Sequence, residues 1–139
     1  MGYGISPYHA LNALGWSEPP AQMPVGSVWG NDGISHSYRF AIYNIAARPS
    51  GVNAVYVFAR LEGSMYVPVY VGRADILSRR LTGHDRRDEA MRLGAWFLLV
   101  HIPAASDPIG YAEAERRLIR RYTPALNEQF NPLASLFAR

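Results

Sequence analysis

The stretch VYVGRADILSRRLTGH, residues 69–84, decides how the chain is read. Its opening, taken with Tyr66 to Gly72 (YVPVYVG), has the β-branched and aromatic makeup of a strand that should end at Gly72. Its second half sets Ile76, Leu77, Arg80 and Leu81 on one side of a helical period, with His84 continuing the line. A helix capped by Asp75 is therefore predicted. An arginine and a histidine interrupt a stripe that should be apolar. Gly83 can end the helix first, which would leave His84 just beyond its terminus.

Working outward, Ala54 to Arg60 (AVYVFAR) reads as a strand, and Glu62, Gly63 and Ser64 supply turn chemistry before Tyr66. A β-hairpin follows. If Leu61 pairs with Met65, Tyr56 stands opposite Tyr70 on one face of the sheet. Pro68 marks the second strand as an edge or as bulged. Farther on, Arg86 to Leu93 is helical, and Ala95 to Ile102 (AWFLLVHI) is apolar enough for a central strand. A last helix spans Ile109 to Tyr122 and stops before Pro124. Its stripe is Tyr111, Glu115, Leu118, Ile119 and Tyr122, so a glutamate also turns inward.

Residues 1–53 are rich in Gly, Pro, Ser and Asn. His9 to Gly15 suits a short helix, Ser17 to Gly26 a loop, and Tyr38 to Ala46 a strand. The organisation expected is an extension over residues 1–52 packed on a core domain of residues 53–130, then a tail of residues 131–139. The fold class is α+β, a small domain of α/β type, with a central three-stranded, mainly antiparallel sheet flanked by helices.

The 139 residues allow one domain with a modest core, and an apolar content of 49% marks a folded chain. The absence of cysteine excludes disulfides, thiolate zinc sites and cysteine nucleophiles. All fourteen basic residues are arginine, and ten of them lie between Arg73 and Arg121, while the net charge is only +3. Arginine matches the planar, bidentate geometry of phosphate. A GC-rich coding sequence would also replace lysine with arginine, but it would not cluster the residues. No apolar run reaches membrane-spanning length, and MGYGISPYHA lacks the regions of a signal peptide. A cytoplasmic protein with no membrane partner is expected, and export by a signal-independent route stays open.

Burying an unpaired charge costs several kcal/mol, on the order of 3–5. Arg80 and Glu115 therefore form either a structural salt bridge or the floor of a cleft. A cleft holding one cation, one carboxylate, a histidine and two tyrosines suits phosphoryl chemistry. The carboxylate can hold a divalent metal, the arginine can neutralise a phosphate, and a tyrosine or histidine can position or deprotonate water. His9, His36 and His101 share no ligand spacing.

The order of these residues resembles the GIY-YIG nuclease superfamily. Its first motif stands here as Ala54-Val55-Tyr56, departing at the glycine, and its second as Tyr70-Val71-Gly72. Arg80 follows Tyr70 by ten residues and His84 follows by four more, and Glu115 opens ERRLIRRYTPALN, which ends on Asn127. The resemblance covers roughly residues 52–130. It implies the GIY-YIG fold and a metal-dependent endonuclease that hydrolyses DNA phosphodiesters by single-metal, in-line attack of water. By the same resemblance, Tyr56 would orient or deprotonate the water and Tyr70 would position the water or the phosphate. Arg80 would bind the phosphate, and His84 would tune a tyrosine or share in proton transfer. Glu115 would be the sole protein ligand of Mg²⁺ or Mn²⁺, and Asn127 would brace the site. Arg73, Arg79, Arg86 and Arg87 could line a phosphate track. The partner expected is DNA, with RNA open, and a homodimer or an inhibitor or immunity partner is compatible. Toxin, restriction or defence, and repair are the settings. The alternatives are a nucleic-acid-binding module or an interaction protein that keeps the fold without catalysis.

Overall fold

The computed structural model describes residues 23–128. The helix expected at His9 to Gly15, most of the loop expected at Ser17 to Gly26, and the tail of residues 131–139 lie outside the described residues. The described chain is a small α+β domain built on one antiparallel sheet. The strands are β1 (Gly26–Asn31), β2 (Ser37–Asn44), β3 (Val52–Glu62), β4 (Met65–Ile76) and β5 (Phe97–His101). The helices are α1 (Leu77–Leu81), α2 (Asp85–Arg92), α3 (Tyr111–Tyr122) and α4 (Ala125–Glu128).

The sheet has five strands in the order β1-β2-β5-β3-β4, not the expected three. The two added strands come from the segment assigned to an extension. β2 pairs directly with β5, Ala41 against Val100 and Tyr43 against Leu98, so this segment is part of the sheet and is not packed on it. The sequence signal for β1 is weak because GSVWGN holds two glycines and no alternation.

β3 runs through the middle of the core, and its six residues from Ala54 to Ala59 are all buried because both faces of the sheet are covered. On one face Tyr56, Phe58, Leu98 and Val100 pack with Leu77 and Leu81 of α1, Ala90 of α2 and Leu126 of α4. On the other face Tyr38, Phe40, Val55, Val57 and Leu99 pack with Ala114 and Leu118 of α3.

The β3–β4 hairpin differs from the expected register. Glu62 pairs with Met65, which leaves a two-residue loop at Gly63 and Ser64. The ladder slips once between Phe58 and Ala59, opposite Pro68 and Tyr70. Pro68 has no N–H for the ladder, and β4 is the edge strand, so it is both bulged and at the edge. Tyr56 thus pairs with Gly72, and Tyr70 with Phe58. The shift from the expected pairing is two residues in all, which preserves the side-chain parity. Tyr56 and Tyr70 stay on one face as diagonal neighbours, their ring centroids 6.2 Å apart.

β4 does not end at Gly72 but continues to Ile76, its ladder holding through Ala54 with Ala74 and Val52 with Ile76. Asp75 is therefore a strand residue, not a cap. α1 starts without a side-chain cap and has only five residues. Gly83, at φ +65°, takes the chain from α1 toward α2, and His84 caps α2.

One buried acid ties the added hairpin to the rest. Asp32, in the β1–β2 loop, accepts hydrogen bonds from the backbone N–H groups of Ile34, Ser35 and His36 and from the Tyr38 hydroxyl at 2.8 Å. It also accepts from the Arg117 guanidinium of α3 at 3.1 Å. Burial alone would raise its carboxyl pKa, but these donors outweigh burial and hold it far below the usual range. Asp32→Ala strands several buried donors at once. It should lower the free energy of unfolding by about 3 kcal/mol in urea denaturation. An unchanged midpoint would show that the clamp carries no stability.

Candidate active site

The polar residues singled out in the sequence meet at the open edge of β4. Tyr56 starts on β3, fully buried, and its ring leans across its neighbour strand over Gly72. A Cβ at Gly72 would lie 2.6 Å from Cζ and Oη of Tyr56. Glycine is required there for clearance within the strand, not as the strand's end.

The hydroxyl of Tyr56 ends 2.7 Å from Nε2 of His84. His84 is itself buried, edge-on to the rings of Tyr56, Phe58 and Tyr70. Its Nδ1 accepts the backbone N–H of Arg86 at 3.0 Å, which makes it the N-cap of α2. Burial, and then the nearby charge of Arg80, push its pKa down to about 4. His84 is therefore neutral at pH 7. Burial pushes the Tyr56 phenol well up, reinforced by the neighbouring Tyr70; the charge of Arg80 opposes this in part.

Arg80 is not on the inner face. A helix of five residues presents little more than one turn, and only Leu77 and Leu81 face the core. At 100° per residue Arg80 lies about 80° from the middle of that line. Ile76, which precedes the helix, is 40% exposed. Arg80 instead stands exposed on the rim of an open groove lined also by Arg73, Asp75, Arg79, Thr82 and Tyr111. Its charge acts on Tyr56, His84 and Glu115 together.

Glu115, on α3, has a side chain only 21% exposed and lies 3.7 Å from Nε of Arg73. Burial raises its pKa, while Arg73, Arg116 and Arg80 oppose the rise. No Arg80–Glu115 ion pair forms among the described residues, so the structural-bridge reading of the two residues loses its basis. Asn127, on α4, uses its side-chain amide as a substitute strand. Oδ1 accepts from the N–H of Val71 and Nδ2 donates to its C=O, each at 2.8 Å. It seals the edge ladder beside Gly72.

The four arginines of the expected phosphate track divide. Arg73 and Arg79 line the groove. Arg86 pairs with Glu89 on its own helix, and Arg87 donates to the C=O of Leu81 while lying 5.9 Å over the ring of Phe58. The sequence reading did not place Asp75, Thr82 or Tyr111 in the groove. Tyr111 donates to the carboxylate of Asp75, closing the far wall. Tyr111 precedes Glu115 by one helical turn, and that spacing was the available signal.

Among the described residues no cluster of three or more His, Asp or Glu side chains could hold a metal ion. The donor set is one half-buried carboxylate beside a basic, open groove. It fits a hard cation such as Mg²⁺, which keeps most of its waters and shares phosphate oxygens of a substrate. Among the described residues no helix is long and apolar enough to cross a membrane. No family model, curated protein or solved structure matches the chain.

His84 gives the fold a defined response to acid. The unfolded histidine takes a proton below about pH 6.5 and the folded one only near pH 4. Its contribution to stability is complete above pH 6.5 and is lost as the pH falls through 4. Between pH 7 and pH 5 the loss should be about 2 kcal/mol. Urea midpoints at the two pH values measure it, and His84→Asn, which keeps a capping side chain, should flatten the difference. An equal slope in the variant would show that His84 is not held neutral.

Proposed function

We propose that the chain is a metal-dependent endonuclease of the GIY-YIG type, a phosphodiester hydrolase that takes DNA as substrate. The observation that carries this reading is the convergence at one sheet edge. A groove-facing arginine, a half-buried carboxylate and a pair of neighbouring tyrosines arrive from separate elements, and Arg80 forms no ion pair among the described residues. A fold that needed Arg80 only for stability would bury it against an acid. The order of the parts also supports the family reading: the first tyrosine on β3, the second on edge strand β4, the arginine just after β4 and the glutamate on a helix at that edge.

The groove chemistry follows from these positions. Arg73, Arg79 and Arg80 give it a positive lining suited to a phosphate backbone. Arg80 would bind the scissile phosphate and neutralise charge that develops on its oxygens. Glu115, beside the groove residue Arg73, would hold Mg²⁺ or Mn²⁺. The bound cation would supply Lewis-acid activation of the phosphate and of water. Its carboxylate is ion-paired to Arg73 at the long distance of 3.7 Å, a contact loose enough to yield to a cation. Tyr70 would orient the reacting groups, with Tyr56 and His84 packed behind it, and Asn127 holds the strand on which Tyr70 and Gly72 sit.

Plasmid nicking tests the proposal. Supercoiled DNA should be converted to nicked and linear forms in Mg²⁺ or Mn²⁺. EDTA should abolish this, and Glu115→Ala should slow it by about a hundredfold or more. DNA that is bound but never cut in either metal would leave a binding module instead. Neither binding nor cutting would leave an interaction protein.

A further inference from the structure

The groove lining holds one acid, Asp75, exposed among Arg73, Arg79 and Arg80. Its Oδ1 accepts the hydroxyl of Tyr111, and its Oδ2 takes no hydrogen bond among the described residues. Arg73 and Asp75 flank the buried Ala74 on β4, so both turn to the α3 side of the sheet. On α3, Tyr111 and Glu115 are four residues apart and share a face, about 6 Å from each other along the axis. Arg73 meets Glu115, and Tyr111 meets Asp75. The two carboxylates therefore stand about one helical turn apart on the same side of the edge strand. The two motif tyrosines lie elsewhere. Tyr56 and Tyr70 pack on the opposite face, with the core under α1 and α2. Tyr56 has no exposed surface, and its oxygen is already an acceptor. The N–H of Arg86 can only donate, so Nδ1 of His84 carries no proton, and the neutral ring directs its Nε2–H to Tyr56.

We infer that Asp75 is the general base of the reaction, a catalytic residue that takes the proton of the attacking water, and that Tyr111 is the positioning residue that aims it. The inference rests on the nuclease reading of this groove, and it moves the proton from Tyr56 to Asp75. The hydrogen bond from Tyr111 fixes the carboxylate and occupies Oδ1, which leaves Oδ2 to accept from water. In the step, an O–H bond of the water breaks toward Oδ2 as the water oxygen bonds to phosphorus. The bond from phosphorus to the leaving sugar oxygen breaks, and that oxygen takes a proton from solvent. Asp75 then returns its own proton to solvent. A carboxylate among three arginines works against phosphate binding. A groove made for binding alone has no use for one, whereas a hydrolytic groove needs an acceptor beside the phosphate.

Single-turnover cleavage of a labelled DNA duplex in Mg²⁺ by the full chain tests the assignment, read beside duplex affinity in EDTA and the thermal midpoint. Asp75→Asn keeps an acceptor for Tyr111 and removes the charge. It should melt with the wild-type protein, bind the duplex more tightly and cut about a hundredfold more slowly. Tyr111→Phe should lose about tenfold, since it leaves the carboxylate in place but unaimed. The wild-type rate should be level from pH 7 to pH 9, because a carboxylate base is already ionised there, whereas a phenol that must first ionise raises the rate about tenfold per pH unit. A rate that climbs in that way, or a loss in Tyr111→Phe as large as that in Asp75→Asn, would overturn the assignment. If the wild-type chain cuts no DNA in Mg²⁺ or Mn²⁺, the nuclease reading fails and the base with it. If it cuts and Asp75→Asn cuts equally fast, the base alone fails.

Discussion

A phenol sealed inside an apolar core must have both its lone pair and its proton satisfied, and Tyr56 sets that condition for the whole molecule. The requirement explains why β4 carries a glycine at position 72, where any Cβ would strike the ring. It explains why a histidine sits beneath α1 and α2 with no exposed side-chain surface. It also explains why that histidine is neutral, since an imidazolium there would face Arg80 as well as the cost of burial. The helix cap, the strand pairing and the tyrosine pair are thus one connected set. The cap and Tyr56 are joined by hydrogen bonds of ordinary length, and the tyrosines and Gly72 by direct packing.

The edge of β4 is where this buried set meets solvent. Asn127 closes one stretch of the edge with a paired amide, Tyr56 lies across the next at Gly72, and Arg73 and Asp75 turn toward α3. An uncovered edge strand invites pairing with another chain, and covering this one leaves a groove rather than a sticky ladder. The β1–β2 hairpin contributes from a distance. Asp32 grips Arg117, two residues beyond Glu115, so the added strands help fix the helix that carries the carboxylate.

Much of this was legible in the residues. The β3–β4 hairpin, the bulge near Pro68, the apolar strand at β5 and the inward turn of Glu115 all follow from composition and period. Tyr56 and Tyr70 share a face despite a different register because a shorter loop and a bulge together restore the parity. Arg80 was misplaced for a definable reason. A stripe counted over a long helix means little when the helix has five residues. The partner of Glu115 was also illegible. Arg73 meets it only because β4 runs past Gly72, and strand length there depends on pairing with β3, which local sequence does not encode. β1 was missed because its stability comes from pairing with β2, not from its own residues. The tautomer of His84 depends on a backbone donor that exists only once α2 has formed.

Arg80 offers the most direct test of the site, because the fold does not use it. It is exposed, and no ion pair of its own forms among the described residues. Single-turnover cleavage of a labelled duplex in Mg²⁺, read beside the thermal midpoint of the same samples, separates chemistry from stability. The account predicts that Arg80→Ala melts with the wild-type protein and cuts at least about a hundredfold more slowly. Equal rates for the two proteins would contradict it.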